Sequence, residues 1–172
     1  MNWALIRTVI ILPGNALVFI PAIIVWMSRD TTYAASLPDL GQLLFWCALA
    51  IFCMGMAMAV WTVRLFLTFG EGTPAPWNPP QRLVVRGPYR YVRNPMISSV
   101  LAMLLAEALM FQSLPLAAWM AIFFGLNAVY FPLVEEKGLE KRFGDDYREY
   151  KAHVPRWIPR LRPWNPGGPN QE

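Results

Sequence analysis

Charge is scarce in this sequence. Asp, Glu, Lys and Arg make up 15% of its 172 residues, against roughly 25% in ordinary soluble domains. The shortage is uneven. Between Leu40 and Gly70 the only charge is Arg64, and between Met96 and Val134 the only one is Glu107. A soluble core of this size has no room for so many uninterrupted apolar residues, so the bilayer is their natural solvent.

Cysteine and histidine are also sparse. Cys47 and Cys53 lie six positions apart in the second apolar stretch, on different sides of a helix and away from any His or carboxylate neighbour. That spacing argues against a metal site or a disulfide and for buried apolar filler. The single histidine, His153, sits in a charged tail and reads as solvated. Met54 and Met58 share a helix face, but no His or Cys completes a soft-metal site there, so they read as packing or lipid-facing residues. The chain also lacks a glycine-rich nucleotide-binding fingerprint, internal repeats and low-complexity tracts.

What it has instead is 56% hydrophobic residues, 8 tryptophans and a mean hydropathy of +0.34. Four apolar segments stand out: Ala4–Met27, Leu40–Phe69, Met96–Gln112 and Leu116–Val134. The first follows Arg7 like a signal peptide, but it runs on through Pro13 and Pro21 without a small-residue cleavage site and reads as a retained span. The last two are separated only by Ser113-Leu114-Pro115, which demands a tight antiparallel hairpin. The expected fold is an all-α integral membrane protein with four transmembrane helices, the last two a hairpin, followed by a C-terminal cytoplasmic amphipathic helix.

Positive charge orients it. Arg82, Arg86, Arg90 and Arg93 lie between the second and third spans, and Lys137, Lys141, Arg142, Arg148, Lys151, Arg156, Arg160 and Arg162 follow the fourth. The first loop carries Arg29 with Asp30 and Asp39, and the hairpin tip carries no charge. Both termini and the Arg-rich loop are therefore expected in the cytoplasm. The pI of about 9.3 then reflects topology and anionic lipid headgroups rather than nucleic acid. Arg64, near the end of the second span, reads as snorkelling to the interface.

Leu139, Phe143 and Tyr147 recur every four residues in the tail, which predicts an amphipathic helix. Gly144-Asp145 predicts a break and a second helix start carrying Tyr147 and Tyr150. The prolines from Pro155 to Pro169 end regular structure. Such a helix either lies on the membrane as an anchor or covers a cytoplasmic cavity.

Two polar stretches flank the hairpin. Arg86-Gly87-Pro88-Tyr89-Arg90-Tyr91-Val92-Arg93-Asn94-Pro95 combines a Gly-Pro turn, aromatics that stack on flat ligands and arginines that bind carboxylate or phosphate. Glu135-Glu136 ends the fourth span, where adjacent carboxylates need solvent or a cation. A tight hairpin brings both to one membrane face. Taken singly, each fits a nonspecific charged interface as well as a ligand site. Glu107 lies mid-span, where an ionised carboxylate costs at least about 2.5 kcal/mol; it reads as a hydrogen-bonded structural residue or a substrate contact.

Gly72-Thr73-Pro74-Ala75-Pro76, Pro79-Pro80 and the run from Arg86 to Met96 resemble the isoprenylcysteine carboxyl methyltransferase-like and phospholipid methyltransferase family of membrane enzymes. The likeness resumes at Glu135-Glu136, Leu139, Phe143-Gly144, Tyr147, Tyr150 and Val154-Pro155. It implies one domain over residues 1–172, with cofactor-site motifs in 70–160 and a flexible tail at 161–172. It also implies S-adenosylmethionine as methyl donor, bound by Tyr91, Arg93, Asn94, Pro95, Met96, Glu135 and Glu136, with Tyr147 and Tyr150 closing the pocket. Arg90 and Glu107 are weaker candidates for substrate contact, and Arg90 could equally hold a lipid phosphate. The implied partners are membrane lipids and a lipid or lipophilic acceptor bearing a carboxylate, amine or thiol. No metal is implied. Ile97, Ser98 and Ser99 stand where the family often has an aromatic and a glycine, and the segment from Asn127 to Val134 lacks the arginines of prenylcysteine enzymes. Those departures leave open a second reading, a non-catalytic membrane binding or assembly protein on the same fold.

Overall fold

The computed structural model describes residues 13–71 and 80–166. Arg7, the first part of the first apolar run, the Gly72–Pro79 part of the motif and residues 167–172 lie outside the described residues. Within them all regular structure is helical: α1 (Asn15–Ser28), α2 (Leu43–Phe69), α3 (Pro95–Met110), α4 (Leu114–Tyr130) and α5 (Glu136–His153). A π-helical turn, Phe131–Glu135, makes α4 and α5 helically continuous.

Two of these stretches are long and apolar enough to cross a membrane: α2, and the α4–α5 stretch from Leu114. The core helix of a soluble protein would be mostly buried, yet only 11% of the apolar window in α2 and 6% of that in α4–α5 is buried. At 1.5 Å per residue α2 is about 40 Å long and α3 about 24 Å, against a hydrocarbon core of about 30 Å. The outward surface of α2 also corrects one expectation. Cys47 and Cys53 are exposed rather than buried.

The chain divides into two compact units, Met1–Ala59 with Ile97–Ala128, and Val60–Met96 with Val129–Glu172. In the first, Ala16, Val100, Met103 and Leu104 form a core that Phe52, Trp119, Met120 and Phe123 cover. Gly55 makes the α2–α3 approach possible: a Cβ there would lie 2.8 Å from Met103 Cγ and 3.0 Å from the Ser99 carbonyl oxygen. Small residues at such crossings let backbones close up where no hydrophobic force drives association. α1 begins with a π-helical turn, Asn15–Phe19. Pro21 has no N–H, so the Ala16 carbonyl has no i→i+5 partner, and the Trp119 indole Nε1 donates to it at 3.0 Å.

The predicted hairpin ends α3 in a Schellman arrangement. Ser113 N–H donates to the Ala108 carbonyl and Gln112 N–H to that of Leu109, with Gln112 at φ 44°. Ser113 then starts α4, its Oγ 3.5 Å from the Leu116 N–H.

In the second unit, the side chains of residues 83–85, which precede the extended Arg86, alternate between two clusters. Val84 packs with Leu65 and Tyr89, while Leu83 and Val85 pack with Tyr147, Tyr150 and Val154. Gly87 follows at φ 54°, where a Cβ would lie 3.0 Å from the Trp61 ring. The predicted break in the tail is present. Gly144 adopts φ 56°, ψ −126°, which interrupts α5, a conformation that glycine adopts readily.

Candidate functional site

Both polar stretches belong to the second unit, and an ion cluster joins them. Pro132 cannot donate a backbone hydrogen bond, and the helix widens to i→i+5 pairing from Phe131 to Glu135 before α5 resumes. That extra residue changes which face each following side chain presents, and Glu136 turns inward. Its side chain is 4% exposed.

A buried carboxylate persists only with cations around it. Arg93 Nη1 donates to Glu136 Oε1 at 2.9 Å and Arg156 Nε donates to the same oxygen at 2.7 Å. Lys151 Nζ lies 3.1 Å from Oε2 and donates to Glu140 at 2.8 Å. Burial alone would raise the Glu136 pKa, but hydrogen bonds from Arg156 and Lys151 and the charges of Arg93 and Arg156 hold it below the ordinary carboxylate value. Glu135 goes the other way. Burial, and then the negative charge of Glu136, push it up to about 7. Among the described residues Glu135 forms no ion pair.

The segment after α5 returns along the Arg90–Arg93 loop. Arg93 N–H donates to the Pro155 carbonyl at 2.9 Å, Arg160 N–H to that of Tyr91 at 3.0 Å and Trp164 N–H to that of Arg90 at 2.9 Å. Arg90 Nε closes the last pair by donating to the Trp164 carbonyl at 3.1 Å. The segment set apart as a tail after residue 160 is therefore held as far as Trp164.

The expected residues divide into groups. Arg93, Glu136 and Tyr147 meet directly, with a hydrogen bond from Arg93 to the Tyr147 hydroxyl. The Tyr150 hydroxyl donates to the Tyr89 carbonyl at 2.8 Å, which makes it a tie between tail and loop. Burial first of all keeps Tyr89, Tyr147 and Tyr150 neutral. Pro95 opens α3 and is fully buried, Asn94 and Met96 beside it are half-buried, and Tyr91 is 36% exposed. Arg90 is part of the clasp with Trp164. Glu107 belongs to the first unit, about 18 Å of helix from Pro95, and lines a cavity of about 210 Å³ with Ala48, Phe52 and Met110.

Sequence reasoning missed Arg156, Lys151 and Trp164. A buried glutamate followed by a basic tail was a signal for the first two, but which cation returns depends on the turn at Val154-Pro155. Trp164 left no such signal; its ring stacks on His153 at 5.4 Å.

The family model for phospholipid methyltransferases matches residues 43–146, more than half of the chain. The chain belongs to the phospholipid methyltransferase family. The matched span includes the loop from Arg86 to Met96 and both glutamates, and it stops before Tyr147 and Arg156. Membership supports a membrane enzyme that transfers methyl groups to lipid-type substrates. No curated protein and no solved structure matches significantly.

Proposed function

We propose that this phospholipid methyltransferase family member moves a methyl group from S-adenosylmethionine to a lipid or lipophilic small molecule at the cytoplasmic membrane face. The observation that carries this reading is the Arg93–Glu136–Arg156 cluster, because it ties the loop motif to the paired glutamates within one unit. Four crossings with both termini in the cytoplasm follow from the charge pattern, which surrounds this cluster with basic residues and leaves the hairpin tip uncharged.

The residues fit the cofactor. Arg93 Nε is buried and meets no acceptor among the described residues, and Glu135 has no counter-ion among them. An amino-acid moiety carries the complementary groups, a carboxylate for Arg93 and an ammonium for Glu135. Tyr91 offers a partly exposed ring to a flat base, and Asn94, Pro95 and Met96 shape the start of α3 beside it. Glu136, neutralised by three cations, holds Arg93 in place. When bound, S-adenosylmethionine supplies an electrophilic methyl on a sulfonium. In-line displacement asks mainly for alignment of acceptor and methyl, so this chain contributes orientation and exclusion of water. A carboxylate or thiolate acceptor needs no general base. An amine acceptor must also lose a proton.

Calorimetry of S-adenosylmethionine with the detergent-purified protein tests the reading, with S-adenosylhomocysteine as product control. Saturable binding of both is expected, and it should be lost in Glu135→Gln combined with Glu136→Gln. Absence of binding by demonstrably folded protein moves the assignment to a non-catalytic membrane module.

A further inference from the structure

The strap from Pro155 to Trp164 uses its backbone on the Arg90–Arg93 loop and turns a different chemistry outward. Ile158 is 80% exposed and Leu161 is 99% exposed. Around them stand Arg156, Arg160 and Arg162, with no acidic residue from 155 to 166. Arg156 is engaged with Glu136. Arg160 spends one guanidinium N–H on the His153 carbonyl and keeps its charge unpaired by any carboxylate among the described residues. Arg162 is exposed and forms no ion pair among them.

Two large aliphatic side chains held out in water are unfavourable, since burying apolar surface is favourable. A protein partner would have to match both the apolar pair and an uncompensated positive charge. An anionic bilayer surface does so by construction: phosphates meet the guanidinium groups, and the acyl boundary lies a few ångströms deeper. The strap is too short and proline-rich for an amphipathic helix, and its backbone hydrogen bonds to the loop fix which side chains point away.

We propose that Pro155–Trp164 is a membrane-docking strap, in which Ile158 and Leu161 enter the interface of an anionic leaflet while Arg160 and Arg162 pair with lipid phosphates. Docking holds the strap against Arg90, Tyr91 and Arg93, and it holds Arg156 against Glu136. Lipid charge thereby sets how firmly the ion cluster is closed. The effect on methyl transfer rests on the function proposed above, whereas docking itself does not.

The test uses the full chain with Cys47→Ser and Cys53→Ser, a nitroxide placed on Leu161→Cys, and nanodiscs of phosphatidylcholine with or without phosphatidylglycerol. A nitroxide on Asp146→Cys, on the exposed surface of α5, is the aqueous reference. In anionic discs the residue 161 label should be accessible to oxygen and shielded from a water-soluble nickel chelate, unlike the reference. Arg160→Gln with Arg162→Gln should move the docked-to-free ratio roughly 30-fold towards free. A residue 161 label as open to the chelate as the reference overturns the proposal. So does a label shielded from both probes, which would assign this face to a second copy of the chain. Neither readout depends on cofactor binding, so docking and the proposed function can fail separately.

Discussion

Arg156 Nε donates to Glu136 Oε1 at 2.7 Å, so the segment beyond the last helix supplies a cation to the carboxylate that begins that helix. Arg93 shares the same oxygen. Glu136 is thus the point at which loop, helix and strap are joined, and its neighbour Glu135 forms no ion pair among the described residues.

Glu136→Gln should therefore act on stability before it acts on binding. It strands Arg93 and Arg156 beside a neutral amide, and loss of one partner from a buried ion cluster costs about 3 kcal/mol or more. Arg156→Gln leaves Arg93 and Lys151 in place and should cost about 2 kcal/mol, the value of a hydrogen bond to a charged group. Thermal unfolding in detergent should rank Glu136→Gln below Arg156→Gln and both below wild type. Because Glu136 is depressed in the folded state, its contribution is present above the ordinary carboxylate pKa and disappears as pH falls through the lower folded value.

Glu135 gives the opposite pH signature. With a folded pKa of about 7, it retains a proton that the unfolded chain releases near pH 4.3. Its contribution to stability is complete below that lower value and declines as pH rises towards about 7. Affinity for S-adenosylmethionine should increase through the same upper limit as the carboxylate ionises. Titrations of binding against pH should show that rise in wild type and a flat profile in Glu135→Gln.

At the hairpin, Gln112 sits at φ 44° in the position where a Schellman turn usually has glycine. Gln112→Gly should relieve left-handed strain and stabilise the protein by about 1 kcal/mol. Gly87→Ala should do the reverse, since its φ is 54° and the new methyl would meet Trp61 at 3.0 Å. Denaturant titration of the two variants should move the midpoints in opposite directions.

Gly55 offers a test of packing in the first unit. Gly55→Leu drives a large side chain against the Ser99 backbone oxygen, where even a Cβ would be 3.0 Å away. Overpacking of this kind costs about 1–3 kcal/mol. A fall in thermal stability is expected, and unchanged stability would mean that α2 and α3 separate easily.

The helical fold, the hairpin link and the break at Gly144 could be read in the sequence because each rests on local chemistry: apolar run length, a three-residue connector and a glycine before an aspartate. The meeting of Arg93 with Glu136 was also within reach, since a tight hairpin places its two flanks together. The division of labour between Glu135 and Glu136 was not. It depends on the π-helical turn at Pro132, which shifts the helix phase without changing residue spacing. The strap was equally hidden. A proline-rich tail looks like the end of structure, and the backbone pairing of Arg160 with Tyr91 and of Trp164 with Arg90 follows no periodicity. The outward placement of Cys47 and Cys53 reflects a similar limit, because apolar composition does not say which side of a membrane helix meets lipid.

The most direct test of the central claim is transfer of labelled methyl from S-adenosylmethionine into extractable lipid by the purified protein in bilayers. The account predicts label in the lipid fraction, abolished in Glu135→Gln combined with Glu136→Gln. Folded, bilayer-embedded protein that leaves every lipid and lipophilic acceptor unlabelled would contradict it.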